Sequence, residues 1–102
     1  MKIIQSPLEL RTDLDKLENI FLIPTMGNLH AGHLSLIKEA KKVTDNIVLT
    51  IFINPIQFTS KSDLELYPRT LNLDIDLLKK TDVSILFNPS EKDIYPTDSN
   101  LI

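Results

Sequence analysis

Every histidine and every glycine of the chain falls in one block, Pro24-Thr25-Met26-Gly27-Asn28-Leu29-His30-Ala31-Gly32-His33. Histidine donates hydrogen bonds, carries charge near neutral pH and moves protons. Glycine lets the backbone turn sharply and lets a ligand come close. His30 and His33 are three apart, so on the first turn of a helix they share one face. From there both imidazoles could reach the oxygens of a polyphosphate, beside the backbone N–H groups of Gly27 to His33. Such donors help most where negative charge develops on a leaving pyrophosphate, because their stabilisation grows as the bond breaks. The block is neither a Walker loop, having no Gly-Lys-Ser/Thr, nor the Gly-x-Gly-x-x-Gly dinucleotide fingerprint. A His pair at this spacing could also ligate zinc, but no cysteine and no nearby acidic residue completes a site. The histidines could equally cap a helix with no ligand at all.

The flanking residues say what must hold the block. Before it, residues 20–23 (Ile-Phe-Leu-Ile) form a short apolar run, predicted to be a strand covered on both faces of a parallel sheet and ended by Pro24. After it, Leu34, Ile37 and Ala40 recur at helical spacing, predicting a helix from about Ala31 to Val43. A strand-to-helix turn aims unpaired N–H groups and a positive helix end at an anion, so the block reads as a phosphate site. Residues 47–53 are the strongest strand of the chain, and the sequence strand, helix, strand predicts a right-handed βαβ crossover.

The remaining chain repeats that rhythm. Lys2-Ile3-Ile4 reads as an edge strand. Ser6-Pro7-Leu8-Glu9 has the form of a capping box opening a helix over 7–17, with Leu10, Leu14 and Leu17 inward and Glu9 reaching back. Thr59 to Glu65 reads as a polar loop. Thr70 or Asn72 caps a helix to about Lys80 with Leu71, Ile75 and Leu78 inward, and residues 83–87 form a further strand. The polar end from Glu91 contains Tyr95-Pro96, a turn signal. In open α/β sheets ligands sit beyond the carboxyl ends of the strands. The Gly/His block and Asn54-Pro55-Ile56-Gln57-Phe58 both lie at such ends, which predicts one shared crevice. Read singly, Gln57 is a loop residue, Tyr67 and Arg69 are packing and surface charge, and Met26 fills space under a turn.

Composition bounds the function classes. With 102 residues the chain is one domain or part of one, and its net charge of −3 argues against general affinity for nucleic acid or anionic membrane. The absence of cysteine excludes disulfides and thiolate metal sites. No secretory signal or membrane-spanning run is visible, so a soluble cytoplasmic protein is expected.

The block through Leu34-Ser35-Leu36-Ile37 resembles the signature of the pantoate–β-alanine ligase family. Phe52-Ile53-Asn54-Pro55-Ile56-Gln57-Phe58, Tyr67-Pro68-Arg69-Thr70-Leu71, Asn88-Pro89-Ser90 and Ile94-Tyr95-Pro96 are similar to its later stretches, in the same order. His-x-Gly-His alone would indicate only the wider nucleotidyltransferase and class I aminoacyl-tRNA synthetase superfamily. The resemblance implies an α/β, Rossmann-like parallel sheet of that type, of which residues 1–102 are the first half. The family's small carboxy-terminal domain is then absent, and family members are much longer. The implied reaction is ATP-dependent, with Mg2+ accompanying the nucleotide: pantoate is adenylated, pyrophosphate leaves, and β-alanine displaces AMP. By the same resemblance Met26, Gly27, Asn28, Leu29, His30, Ala31, Gly32 and His33 contact ATP, and His33 is the proton donor, with His30 beside it. Gln57 binds pantoate and then β-alanine, with Pro24, Met26, Asn54 and Tyr67 lining the same pocket. A homodimer at full length is implied. Residues 59–63 (Thr-Ser-Lys-Ser-Asp) depart from the family's Gly-Pro and Glu-Asp pattern, so a different lid over the pocket is expected. The other expectations to set beside this one are a different small-molecule nucleotidyltransferase and a non-catalytic nucleotide-binding or association module.

Overall fold

The aliphatic runs pair side by side because each is too apolar to face water and too short to bury itself. In the computed structural model, which describes residues 1–95, four parallel strands stand in the order β1-β4-β3-β2. They are β1 (Lys2–Ile4), β2 (Phe21–Thr25), β3 (Ile47–Ile51) and β4 (Ile85–Phe87). The register runs Phe21 to Ile47 and Thr25 to Ile51 between β2 and β3, Val48 to Ile85 between β3 and β4, and Lys2 to Ile85 between β1 and β4. The helices are α1 (Pro7–Leu14), α2 (Ala31–Lys41), α3 (Lys61–Leu66), α4 (Leu71–Leu78) and α5 (Glu91–Ile94), with one 3₁₀ turn at Pro55–Gln57. Among the described residues, no helix is long and apolar enough to cross a membrane.

Alternation along β3 divides the core. Ile47, Leu49 and Ile51 join Ile23 and Leu86 beneath α2 and α4, where Ile37, Ala40 and Leu78 are buried and Leu34, Leu71 and Ile75 pack alongside. Val48 points the other way, with Ile4, Ile85 and Phe87, onto Leu10, Leu14 and Leu17 of α1 and its following turn. Each fully buried side chain of this kind contributes about 1.5–3 kcal/mol over its exposed state. Helices thus cover both faces. Right-handed crossovers require this when β1→β2 steps across the sheet one way and β2→β3→β4 steps back the other. The arrangement is the Rossmann-like parallel α/β sheet expected from the sequence, with each inward stripe where its spacing placed it.

Several boundaries differ, each for a local reason. Pro24 does not end its strand: it pairs with Thr50 inside β2. Proline is tolerated there because β2 is the sheet's edge among the described residues, so its missing N–H faces away from the ladder. Nor is β2 covered on both faces, since Leu22 and Pro24 are exposed. Residues 59–65 are not simply a loop. Ser60 caps α3 by accepting the Asp63 N–H, and α5 is opened in the same way by Ser90 and Asp93. Ser6 caps α1 by accepting the Glu9 N–H as expected, whereas the Glu9 carboxylate lies 3.5 Å from Lys2 Nζ. Thr70 stands at the N-cap of α4 without capping it through its side chain, and its hydroxyl is used elsewhere. Pro96, in the turn signal at the chain's end, lies outside the described residues.

Candidate active site at the carboxyl edge of the sheet

The turn from β2 into α2 is built on a left-handed pair. Gly27 has φ +86° and Asn28 φ +55°. A side chain at residue 27 would be strained by that φ alone, and its Cβ would meet Asp74 Oδ2 at 3.1 Å and Ile51 Cγ2 at 3.3 Å. Thr25 ties the end of β2 to both neighbours, its hydroxyl donating to the Thr50 carbonyl at 2.9 Å and accepting the Gly27 N–H at 3.0 Å. Successive N–H groups in such a turn form a concavity suited to an anion.

The anion held there is the chain's own. Asp74, on α4, accepts the Asn28 N–H at 2.9 Å through Oδ2 and the Leu29 N–H at 3.0 Å through Oδ1. Its Oδ2 also accepts the Thr70 hydroxyl at 2.9 Å. This corrects the expectation of open backbone donors along the block. The His30 N–H goes to His33 Nδ1 at 3.1 Å, the Gly32 N–H to His30 Nδ1 at 3.0 Å, and the His33 N–H to the His30 carbonyl at 3.0 Å. Sequence reasoning does not single out Asp74. The signal is present nonetheless, because Asp74 sits between Leu71 and Leu78 on the inward stripe of α4, where a lone carboxylate needs a partner.

The histidines cap α2 reciprocally. His30 is the N-cap residue and His33 occupies the third helical position, reaching back to it. Their rings lie 4.2 Å apart, centre to centre, inclined by 48°. Gly32 makes room for this, since a Cβ there would come within 2.9 Å of His30 Cε1. A nitrogen that accepts a hydrogen bond carries no proton, so both imidazoles are assigned as neutral with the proton on Nε2. The block therefore offers two imidazole Nε2–H donors at a helix N-terminus rather than a cradle of amides.

Burial holds the His33 imidazole below its ordinary titration range; the neighbouring His30 pushes the same way and Asp74 opposes both. A histidine depressed in the folded state contributes stability that is present above its unfolded value, about 6.5, and is lost as pH falls below it. Protonation also removes the Nδ1 acceptor from the cap. The midpoint of urea unfolding is therefore expected to fall between about pH 7.5 and 5.5. His33→Gln, which can make the same reach-back contact without titrating, should flatten that dependence. Equal slopes for the two proteins would refute the assignment.

Two cavities open beside the turn. One, of about 420 Å³, is lined by Pro24, Thr25, Met26, Thr50, Phe52, Asn54 and Gln57. The other, of about 440 Å³, lies beyond the carboxyl ends of β3 and β4, with Met26, Gly27, Phe52, Arg69, Asp74 and Ser90 among its walls. Pro24, Met26, Asn54 and Gln57 are thus brought together, but the crevice expected for the whole Gly/His block takes in only its first residues: Asn28 to His33 line neither cavity. Asn54 is partly engaged: its Oδ1 accepts the Ile56 N–H at 3.1 Å and the Tyr95 hydroxyl at 3.0 Å. Gln57 is exposed at the end of the 3₁₀ turn. Tyr67 is not among the residues lining either cavity; its ring meets Phe58 edge to face at 5.5 Å.

A family model described as pantoate-beta-alanine ligase matches residues 2–101. The chain belongs to that family. A pantothenate synthetase of Francisella tularensis subsp. novicida is 52% identical over 93 residues, covering 91% of this chain and 35% of the relative. Among solved structures, the pantoate-beta-alanine ligase of Francisella tularensis, complexed with beta-gamma ATP and beta-alanine, superposes with TM-score 0.89 at 45% identity. That match covers 94% of this chain and 38% of the other. Pantothenate synthetase of Thermus thermophilus superposes with TM-score 0.88 at 38% identity, over 94% of this chain and 34% of its own. The chain therefore spans little more than a third of the length of these relatives.

Proposed function

We propose that this chain supplies the phosphate-handling and acid-binding part of a site that joins pantoate to β-alanine through a pantoyl-adenylate. The observation that carries the reading is the reciprocal His30–His33 cap at the N-terminus of α2, which leaves both Nε2–H groups unused and lies on the same β2-to-α2 connection as Pro24 and Met26, which line the cavity with Asn54 and Gln57. In the first step a pantoate carboxylate oxygen attacks the α-phosphorus of ATP, and the bond to the bridging oxygen breaks. The electron pair leaves on pyrophosphate, where the imidazole donors and the helix dipole stabilise it. In the second step the neutral β-alanine amine attacks the acyl carbon, the acyl–oxygen bond breaks with its electron pair leaving on AMP, and the amine's proton passes to solvent. Pro24 and Met26 give the pantoate methyl groups an apolar wall, and the Gln57 amide orients its polar atoms.

Among the described residues no group of three or more His, Cys, Asp or Glu side chains stands ready for a metal. Mg2+ would arrive on the nucleotide phosphates, which together with water commonly supply its ligands. In the same reading the protein is cytoplasmic, dimeric at full enzyme length, and without turnover as the 102-residue segment.

Calorimetry of the chain with ATP and with pantoate tests the binding reading, and pantoate-dependent exchange of labelled pyrophosphate into ATP at full enzyme length tests the chemistry. Exchange driven by a different acid would point to another nucleotidyltransferase, and nucleotide binding with no exchange to an association module. Gln57→Ala is expected to weaken pantoate binding on the order of tenfold, about the net worth of one hydrogen bond, with ATP affinity unchanged. Parallel losses for both ligands would assign Gln57 to the fold of its loop instead.

A further inference from the structure

We propose that Asp74 is a positioning residue of the nucleotide site: through its carboxylate, α4 fixes the turn that sets the two imidazoles. The inference rests on the function proposed above for the word nucleotide, but not for the mechanics. Asp74 is 4% exposed and is the one buried charged side chain among the described residues. A buried carboxylate costs solvation that an apolar residue in the same stripe of α4 would not. What it gains is three donors from two parts of the chain: the Asn28 and Leu29 amides on the turn and the Thr70 hydroxyl at the start of its own helix.

The linkage runs in one direction. Leu71, Ile75 and Leu78 seat α4 in the core, so the position of Asp74 is set by packing with the sheet. Asp74 then sets the amides at and beyond the left-handed residues Gly27 and Asn28. Leu29, whose amide it holds, directly precedes His30, the N-cap of α2, and the His30 N–H and Nδ1 carry the reciprocal contacts with His33 and Gly32. Loosening the carboxylate frees the turn at its last fixed point before the imidazoles. Those rings then exchange between tautomers and orientations, and the Nε2–H donors are no longer held in place.

The test is nitrogen NMR of the imidazoles in the ¹⁵N-labelled chain at about pH 8, where histidine is ordinarily neutral. The chain as it stands should show His30 and His33 both as Nε2–H tautomers. Asp74→Asn presents an NH₂ group to one of the two amides and is expected to give mixed tautomers at both rings. Displaced Asn28 and Leu29 amide signals should accompany this, while the Leu49 and Leu86 methyl signals stay in place. Thr70→Val, which removes only the hydroxyl donor to Oδ2, should shift the same signals less. ATP affinity, measured in parallel, should fall on the order of tenfold for Asp74→Asn. Unchanged tautomers in a folded Asp74→Asn overturn the proposal. If that variant does not fold, unchanged tautomers in Thr70→Val overturn it. Absence of ATP binding by the unsubstituted chain would count against the proposed function alone, because the imidazole readout needs no ligand.

Discussion

Under the proposed function, replacing His33 with alanine is expected to slow pantoyl-adenylate formation about a hundredfold at full enzyme length, while ATP affinity changes little. The magnitude is that of a donor acting mainly on charge that appears in the transition state, roughly 3 kcal/mol. The split follows from the geometry. The His33 Nδ1 is occupied by the His30 N–H, so only Nε2–H is free to face a phosphate, and a neutral donor gains most when the leaving oxygen becomes fully charged. Single-turnover quench measurements separate the two quantities. An adenylation rate near that of the unsubstituted enzyme would remove His33 from the chemistry. A tenfold or larger loss of ATP affinity with an unchanged rate would make it a ground-state contact. His33→Gln is the informative companion, because it restores the reach-back cap without an imidazole. If glutamine recovers stability but not rate, the cap and the chemistry are separable.

The parts of this site that can be read from the sequence are those whose signals are local. The spacing of Leu34, Ile37 and Ala40, the alternation of Ile47, Leu49 and Ile51, and the inward positions of Leu71, Ile75 and Leu78 each follow from a period of the chain, and all lie in the core or packed against it. The crevice shared by Pro24 to Met26 with Asn54 and Gln57 follows from topology, since both segments leave carboxyl ends of neighbouring strands. Long-range pairing of polar groups cannot be read in this way. The Asn28 and Leu29 amides look open in the sequence because their acceptor lies 46 and 45 residues further along the chain. Pro24 departs from expectation for the same kind of reason: whether a proline ends a strand depends on whether that strand is an edge, and edges are a property of the sheet. The caps at Ser60 and Ser90 are local and legible, each with an aspartate three residues on. They are easily overlooked because the helices that they open are only a turn or so long.

Gly27→Val tests the turn itself, with an effect comparable to that of a core truncation. Two costs add. Holding a residue with a Cβ at φ +86° costs about 1–2 kcal/mol, and more when the side chain is β-branched. The new Cβ also lands 3.1 Å from Asp74 Oδ2 and 3.3 Å from Ile51 Cγ2. Neither neighbour can retreat cheaply, because Asp74 is held by the Asn28 and Leu29 amides and the Thr70 hydroxyl, and Ile51 is a buried residue of β3. Forcing extra volume against such a site typically costs about 1–3 kcal/mol. The expected total, about 2–5 kcal/mol, is a large part of the stability of a domain this small. Urea unfolding should therefore show a much lower midpoint for Gly27→Val, with Gly27→Ala intermediate. A stability within about 0.5 kcal/mol of the unsubstituted chain is what a surface position would give. It would mean that the turn relaxes freely, and that the clamp by Asp74 does not fix the imidazoles.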